Sequence, residues 1–129
     1  MSDVLLDSDV LIDLLRGYDP ARVYFKQIES GTISAAVSTI TVAELASGRM
    51  SGPNEEARVK NLLGLLQIFE VDFETAWFAG EIRRRHQTPF ADAVVAATAI
   101  KQNLPLATNN IKHFQLISDL TIQQPYPKV

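Results

Sequence analysis

Apolar and polar positions along this chain change period several times, and each change marks an element. Val4-Leu5-Leu6 is a short continuous apolar run, as expected of a strand covered on both faces, and a helical pattern over 9–15 opens directly after it. Gly17 and Asp19-Pro20 break the chain, a second helix is predicted over 21–29 with Val23, Phe25 and Ile28 apolar, and Ser30-Gly31 ends it. A strand over 35–38 and a short helix from Val42 to Arg49 follow, then the clearest loop, Ser51-Gly52-Pro53-Asn54. Beyond it the pattern predicts helices over 55–66, 74–85 and 91–102, and strands over 68–71, 104–107 and 120–122. No repeat or low-complexity segment interrupts this order. Strands alternating with helices imply parallel pairing through right-handed crossovers, hence a three-layer α/β sandwich whose parallel sheet has four or five strands. One domain spanning residues 1–129 is expected.

Composition narrows the chemistry. Hydrophobic residues make up 47% and charged residues 21%, a globular balance. The absence of cysteine excludes disulfides, zinc–thiolate sites and thiol nucleophiles. No basic region opens the chain, Asp7 and Asp9 interrupt its first apolar stretch, and no run approaches the roughly 18 apolar residues of a membrane span. A soluble, cytoplasmic protein without membrane contact is the expectation. The net charge of -3 restricts any nucleic-acid contact to a local basic patch. Arg83-Arg84-Arg85 with His86 and Arg16 could supply one, but cations also complement the end of a helix, and Arg85 stands at helical spacing from Glu81. Trp77 and Phe78 read as core or dimer contacts, because no basic residues interleave with them as in a base-stacking platform. His86 and His113 have no partner at metal-ligand spacing.

Three acidic residues stand out, Asp7, Glu44 and Asp92, each beside or inside an apolar run and none with a basic neighbour. Each has a structural explanation: Asp7 as a helix cap, Thr41-Val42-Ala43-Glu44 as a capping box, and Asp92 in the first turn of a helix starting near Thr88-Pro89. The alternative is convergence. Three carboxylates about 5 Å apart would repel by about 3 kcal/mol per pair at an effective dielectric of 20. Such a cluster must take up protons or metal, and an all-oxygen donor set favours Mg²⁺ or Mn²⁺ over zinc. Ions of this kind chiefly serve phosphoryl chemistry.

The segments Leu5-Leu6-Asp7-Ser8-Asp9-Val10-Leu11-Ile12-Asp13-Leu14-Leu15, Thr41-Val42-Ala43-Glu44-Leu45, Asp92-Ala93-Val94-Val95-Ala96-Ala97-Thr98-Ala99 and Leu106-Ala107-Thr108-Asn109-Asn110-Ile111-Lys112-His113-Phe114, in this order and spacing, resemble the PIN-domain ribonucleases, most closely the toxin subunits of VapBC-type toxin–antitoxin modules. The resemblance runs nearly end to end. It implies a parallel sheet with helices on both faces, an acidic site around Mg²⁺ or Mn²⁺, cleavage of RNA, a cognate antitoxin and a homodimer. Carried over by position, Asp7, Glu44 and Asp92 are the catalytic acids, with Asp7 and Asp92 holding metal. Asn110 stands where many relatives have a fourth acid, which makes a second tightly held metal doubtful. Thr108 and Ser8 offer hydroxyls to orient the carboxylates, and Asp9 is expected to point away from Asp7 or to cap the following helix. The antitoxin would lie on apolar helix faces at Val10, Leu14 and Leu15 and at Leu62, Leu63 and Leu66, unless the chain's own core takes them.

Two other function classes remain open at this point. Asp7-Ser8-Asp9 after a strand also fits a phosphatase of the haloacid dehalogenase type with Asp7 as nucleophile, although Leu11 departs from that pattern and no later lysine and acidic pair stands out. The asparagine at position 110 keeps a catalytically inactive binding module in play.

Overall fold

Residues 1–48 and 52–128 are described by a computed structural model of the chain. The first apolar run is β1 (Val4–Leu6), the centre of a five-stranded sheet ordered β3-β2-β1-β4-β5. β2 (Ala35–Ser38) and β4 (Leu106–Ala107) flank it, and β3 (Gln67–Phe69) and β5 (Ile122–Gln123) form the edges. Every pairing is parallel, as the alternation of strands and helices predicts.

Both faces of the sheet are covered, which is why β1 has no polar position. Side chains along a strand alternate between faces. Val4 and Leu6 join one apolar cluster with Val37, Phe25 and Leu62, whereas Leu5 joins another with Ala36, Val95, Leu106 and Phe114. The first cluster is supplied by α1 (Ser8–Leu15), α2 (Asp19–Glu29) and α4 (Pro53–Leu63). The second is supplied by α5 (Phe73–His86), α6 (Phe90–Lys101) and α7 (Ile111–Phe114). Between them α3 (Thr39–Ala46) reaches both, through Leu45 and Ile40. Gly17 (φ 81°) and Gly31 (φ 83°) take left-handed conformations just after α1 and α2, which accounts for the breaks at those positions.

The chain steps outward from β1 to β2 to β3, then returns to the other side of β1 for β4 and β5. That reversal opens a crevice beyond the carboxyl ends of β1 and β4, the place where open parallel sheets bind ligands.

Several boundaries differ from the sequence expectation. α3 begins at Thr39, before the expected Val42, because Ser38 caps it by accepting from the Ile40 N–H at 3.2 Å; its expected end at Arg49, and the loop residue Ser51, lie outside the described residues. α4 stops at Leu63 rather than Leu66, and β3 runs over Gln67–Phe69 rather than 68–71. Leu104 belongs to the end of α6 and not to β4, since its N–H closes on the Ala99 carbonyl at 2.9 Å while Asn103 turns left-handed. Leu120 likewise closes a turn onto Ile117, so β5 starts at Ile122. The four-residue helix α7 is too short for periodicity to reveal. Val10, Leu62, Leu63 and Leu66 are buried in the first cluster, so these positions offer no free face to a partner. Trp77 is not core: it is 65% exposed and stacks on the exposed Phe73 at 6.2 Å.

The carboxyl-terminal segment straps α1 to this frame. Tyr126 packs on Tyr18 and Tyr24 and donates its hydroxyl to Oδ2 of the buried Asp13 at 2.7 Å, while Lys128 donates to Oδ1 at 2.8 Å. Asp13 therefore has both oxygens satisfied. Tyr126→Phe removes one donor from a buried carboxylate and should lower stability by about 1.5–3 kcal/mol. Urea denaturation measures it, and an unchanged midpoint would mean that the strap holds nothing.

Candidate active site

Asp7 immediately follows β1 and is the N-cap of α1, so one residue ends the central strand and starts the first helix. Its Oδ1 accepts from the Ser8 N–H at 2.9 Å. Its Oδ2 accepts from the Thr108 hydroxyl at 2.8 Å, across the gap between the ends of β1 and β4. The helix-cap reading and the site reading of Asp7 thus describe two oxygens of one buried carboxylate. Thr108 in turn accepts from the Asn110 N–H at 3.0 Å, so its hydroxyl hydrogen is committed to Asp7.

Glu44 reaches this region from the last turn of α3 and Asp92 from the first turn of α6. The capping-box reading of Glu44 does not hold, because Ser38 is the cap and Thr41 lies inside the helix with its hydroxyl buried and unpartnered. Ser8 on α1 lies close enough to Glu44 on α3 to draw its carboxyl down. Asp92 accepts from His113 Nδ1 at 2.8 Å. Asn110 is exposed, uses its backbone N–H on Thr108, and makes no capping bond with its side chain.

Electrostatically, Asp92 is the charge that Asp7 and Glu44 share. The Asp7 carboxyl is pushed up from 3.8 to about 7, by burial first and then by the charges of Asp9 and Asp92, with the bonds from Thr108 and Ser8 acting against them. Burial also raises Glu44, again with help from Asp92 and against the pull of Ser8. Among the described residues no three acidic or histidine side chains close on a common ligand point. Like charges without a cation splay, and a hard divalent ion needs only one or two carboxylates when water completes its shell. Asp7 and Asp92 are oxygen donors that repel each other, and they and Glu44 have the all-oxygen donor chemistry that such an ion takes.

Asp9 was expected to face away or to cap α1. Instead its Oδ2 accepts from the Asn109 N–H at 2.9 Å, its Oδ1 is buried without a partner, and its charge bears on Asp7. That bond commits to the β4–α7 loop the residue that a phosphatase would use as its acid/base. His113 has no partner at ligand spacing along the chain; its partner lies on another helix, which no local spacing could show. Of the arginine run, Arg83 donates to the Thr88 carbonyl at 3.0 Å and lies over the Phe90 ring, and Arg85 pairs with Glu81 at 3.6 Å. These two serve the end of α5. Arg16 instead lines a cleft of about 340 Å³ beside Glu44, with Arg58 and an apolar floor of Ile12, Leu15 and Val59.

The sequence profile described as PIN domain matches residues 4–119. The chain is 34% identical over 123 residues to Ribonuclease VapC10 of Mycobacterium tuberculosis, an alignment covering 91% of this chain and 90% of that protein. A chain of a toxin–antitoxin complex from Klebsiella pneumoniae superposes with a TM-score of 0.80 at 28% identity, over 98% of this chain and 100% of the other. A chain of DNA-bound VapBC from Salmonella typhimurium shares the fold with a TM-score of 0.83 at 23% identity, over 97% and 99%.

Because the Asp7 carboxyl is raised on folding, the metal-free folded chain binds more protons than the unfolded one, and the associated stability is complete below about 3.8 and lost as pH rises to about 7. Metal-free protein should therefore be less stable at pH 8 than at pH 5, and Asp7→Asn should shrink that difference. Chemical denaturation at the two pH values checks this; an identical pH dependence in both proteins would remove Asp7 as its source.

Proposed function

The chain belongs to the PIN domain family, and we propose that it is a metal-dependent endoribonuclease acting as the toxin of a toxin–antitoxin pair. The observation that carries the reading is that the charge of Asp92 bears on both Asp7 and Glu44, with Asp7 buried and bonded at the carboxyl ends of β1 and β4. The name of the 34%-identical relative, a ribonuclease, supports the substrate class. The toxin–antitoxin complex at 28% identity supports the partner.

Asp7 and Asp92 would hold the cation, Mg²⁺ or Mn²⁺ by their all-oxygen character. When bound, such an ion activates water and neutralises charge on the scissile phosphate. The chain supplies the rest. Thr108 and the Ser8 N–H fix the Asp7 carboxylate from both sides. Glu44, raised by burial and by Asp92 against the pull of Ser8, is suited to take a proton from the attacking water at its carboxylate. Asn110 carries a neutral amide where a further acid would add charge, so one ion rather than two is the expected complement.

The cleft beside Glu44 gives RNA and antitoxin a common approach. Arg16 and Arg58 stand there among the acidic Glu44 and Glu55 and would meet phosphate, and the apolar floor supplies contact area. An antitoxin segment seated there would cover Glu44. On the opposite helical layer, the exposed Phe73–Trp77 stack and Phe90 provide an apolar surface for pairing of two copies. No helix among the described residues is long and apolar enough to cross a membrane.

Cleavage of RNA should require Mg²⁺ or Mn²⁺ and should fall by roughly two or more orders of magnitude in Asp7→Asn and Asp92→Asn, each of which removes charge from the metal-holding set. Expression of the chain alone should arrest growth, Asp7→Asn should relieve the arrest, and a small cognate protein should bind and do the same. Equal cleavage by wild type and both variants in excess EDTA would refute the mechanism. Asn110→Asp should tighten Mn²⁺ binding in a calorimetric titration by adding a charge; an unaltered titration would place residue 110 outside the site.

A further inference from the structure

One short loop touches both of the carboxylates assigned to the cation. Thr108 donates its hydroxyl to Asp7 at 2.8 Å, Asn110 donates its N–H to Thr108 at 3.0 Å, the Asn110 carbonyl accepts from the His113 N–H at 3.0 Å, and the His113 ring meets Asp92 at 2.8 Å. The connection Asp7–Thr108–Asn110–His113–Asp92 thus runs through six consecutive positions, 108–113, and ties the end of β1 to the first turn of α6. Its far end is anchored, because the next residue, Phe114, is wholly buried in the second apolar cluster. Asp9 holds the same loop from the other side through the Asn109 N–H.

We propose that His113 is a positioning residue for the metal site. It occupies Asp92 Oδ2 through Nδ1 and leaves Oδ1 as the oxygen open to a divalent cation. This rests on the reading of Asp92 as a metal-holding carboxylate. A carboxylate is an acceptor only, so the bond places the proton on Nδ1. Removing a group that orients a metal ligand from behind typically costs about 10–100-fold in metal affinity. The competing role is that of a surface ion pair. The imidazole is half exposed, and exposed pairs contribute little to stability. The two roles separate on metal affinity, since a surface pair has no reason to change it.

The test is calorimetric titration of the full chain with Mn²⁺, using wild type, Asp92→Asn, His113→Leu, His113→Asn and His113→Gln, each first checked for folding by circular dichroism. Asparagine places an amide nitrogen close to the position of Nδ1, whereas glutamine carries it one bond further. His113→Leu should weaken Mn²⁺ binding by about 10–100-fold, His113→Asn should recover most of the affinity, and His113→Gln should not. The Asn and Gln pair keeps the comparison decisive even where the Leu variant fails to fold. Wild-type affinity in His113→Leu, or tighter binding in it, would overturn the positioning role, as would equal weakening in the Asn and Gln variants. A wild type that takes up no Mn²⁺, or an Asp92→Asn that binds it as wild type does, would instead bring down the metal reading of Asp92, and this proposal with it.

Discussion

The hydrogen bond from Thr108 to Asp7 joins the ends of two neighbouring parallel strands at the point where the sheet's winding reverses. A buried carboxylate is costly unless it is bonded, and Asp7 is 2% exposed. Each of its oxygens therefore accepts one bond, from the start of α1 and from the loop after β4, and keeps a further lone pair. The rest of the site is arranged around that constraint. α1 cannot start elsewhere without losing its cap, and the β4–α7 loop cannot move without stripping the hydroxyl from Asp7.

Burial and charge oppose each other at this position. The apolar layers that make β1 the centre of the sheet also desolvate Asp7, and Asp9 and Asp92 add like charge to it. Folding energy held in other parts of the chain sustains the arrangement, as is common where local destabilisation serves a function. The strap from Tyr126 and Lys128 contributes to this by satisfying Asp13, on the helix that Asp7 caps. Lys128 also places a positive charge where it offsets the pressure on Asp9. A cation between Asp7 and Asp92 would act in the same direction, more strongly and at closer range.

Much of this was legible in the residue pattern. Val4-Leu5-Leu6 announced a strand with no polar face, and the alternation of strands and helices announced parallel pairing. Asp7, Glu44 and Asp92 declared themselves as carboxylates without local partners in apolar surroundings. Boundaries were less legible where the last turn of a helix closes onto a residue that reads as strand, as at Leu104, or where a cap lies earlier than the apolar period, as at Ser38. Trp77 shows the converse limit, because a large aromatic side chain in a helix carries no mark of which face it lies on when the apolar period is weak.

What the sequence determined by itself was the class of fold and the donor chemistry, because periodicity and side-chain type are local properties. What only the tertiary structure decided was which donors meet. The pairings Thr108 with Asp7, His113 with Asp92, Asn109 with Asp9 and Tyr126 with Asp13 join residues 101, 21, 100 and 113 positions apart. Contacts of that separation leave no periodic trace along the chain; they come into being when the sheet reverses its winding and brings the end of β4 beside the end of β1.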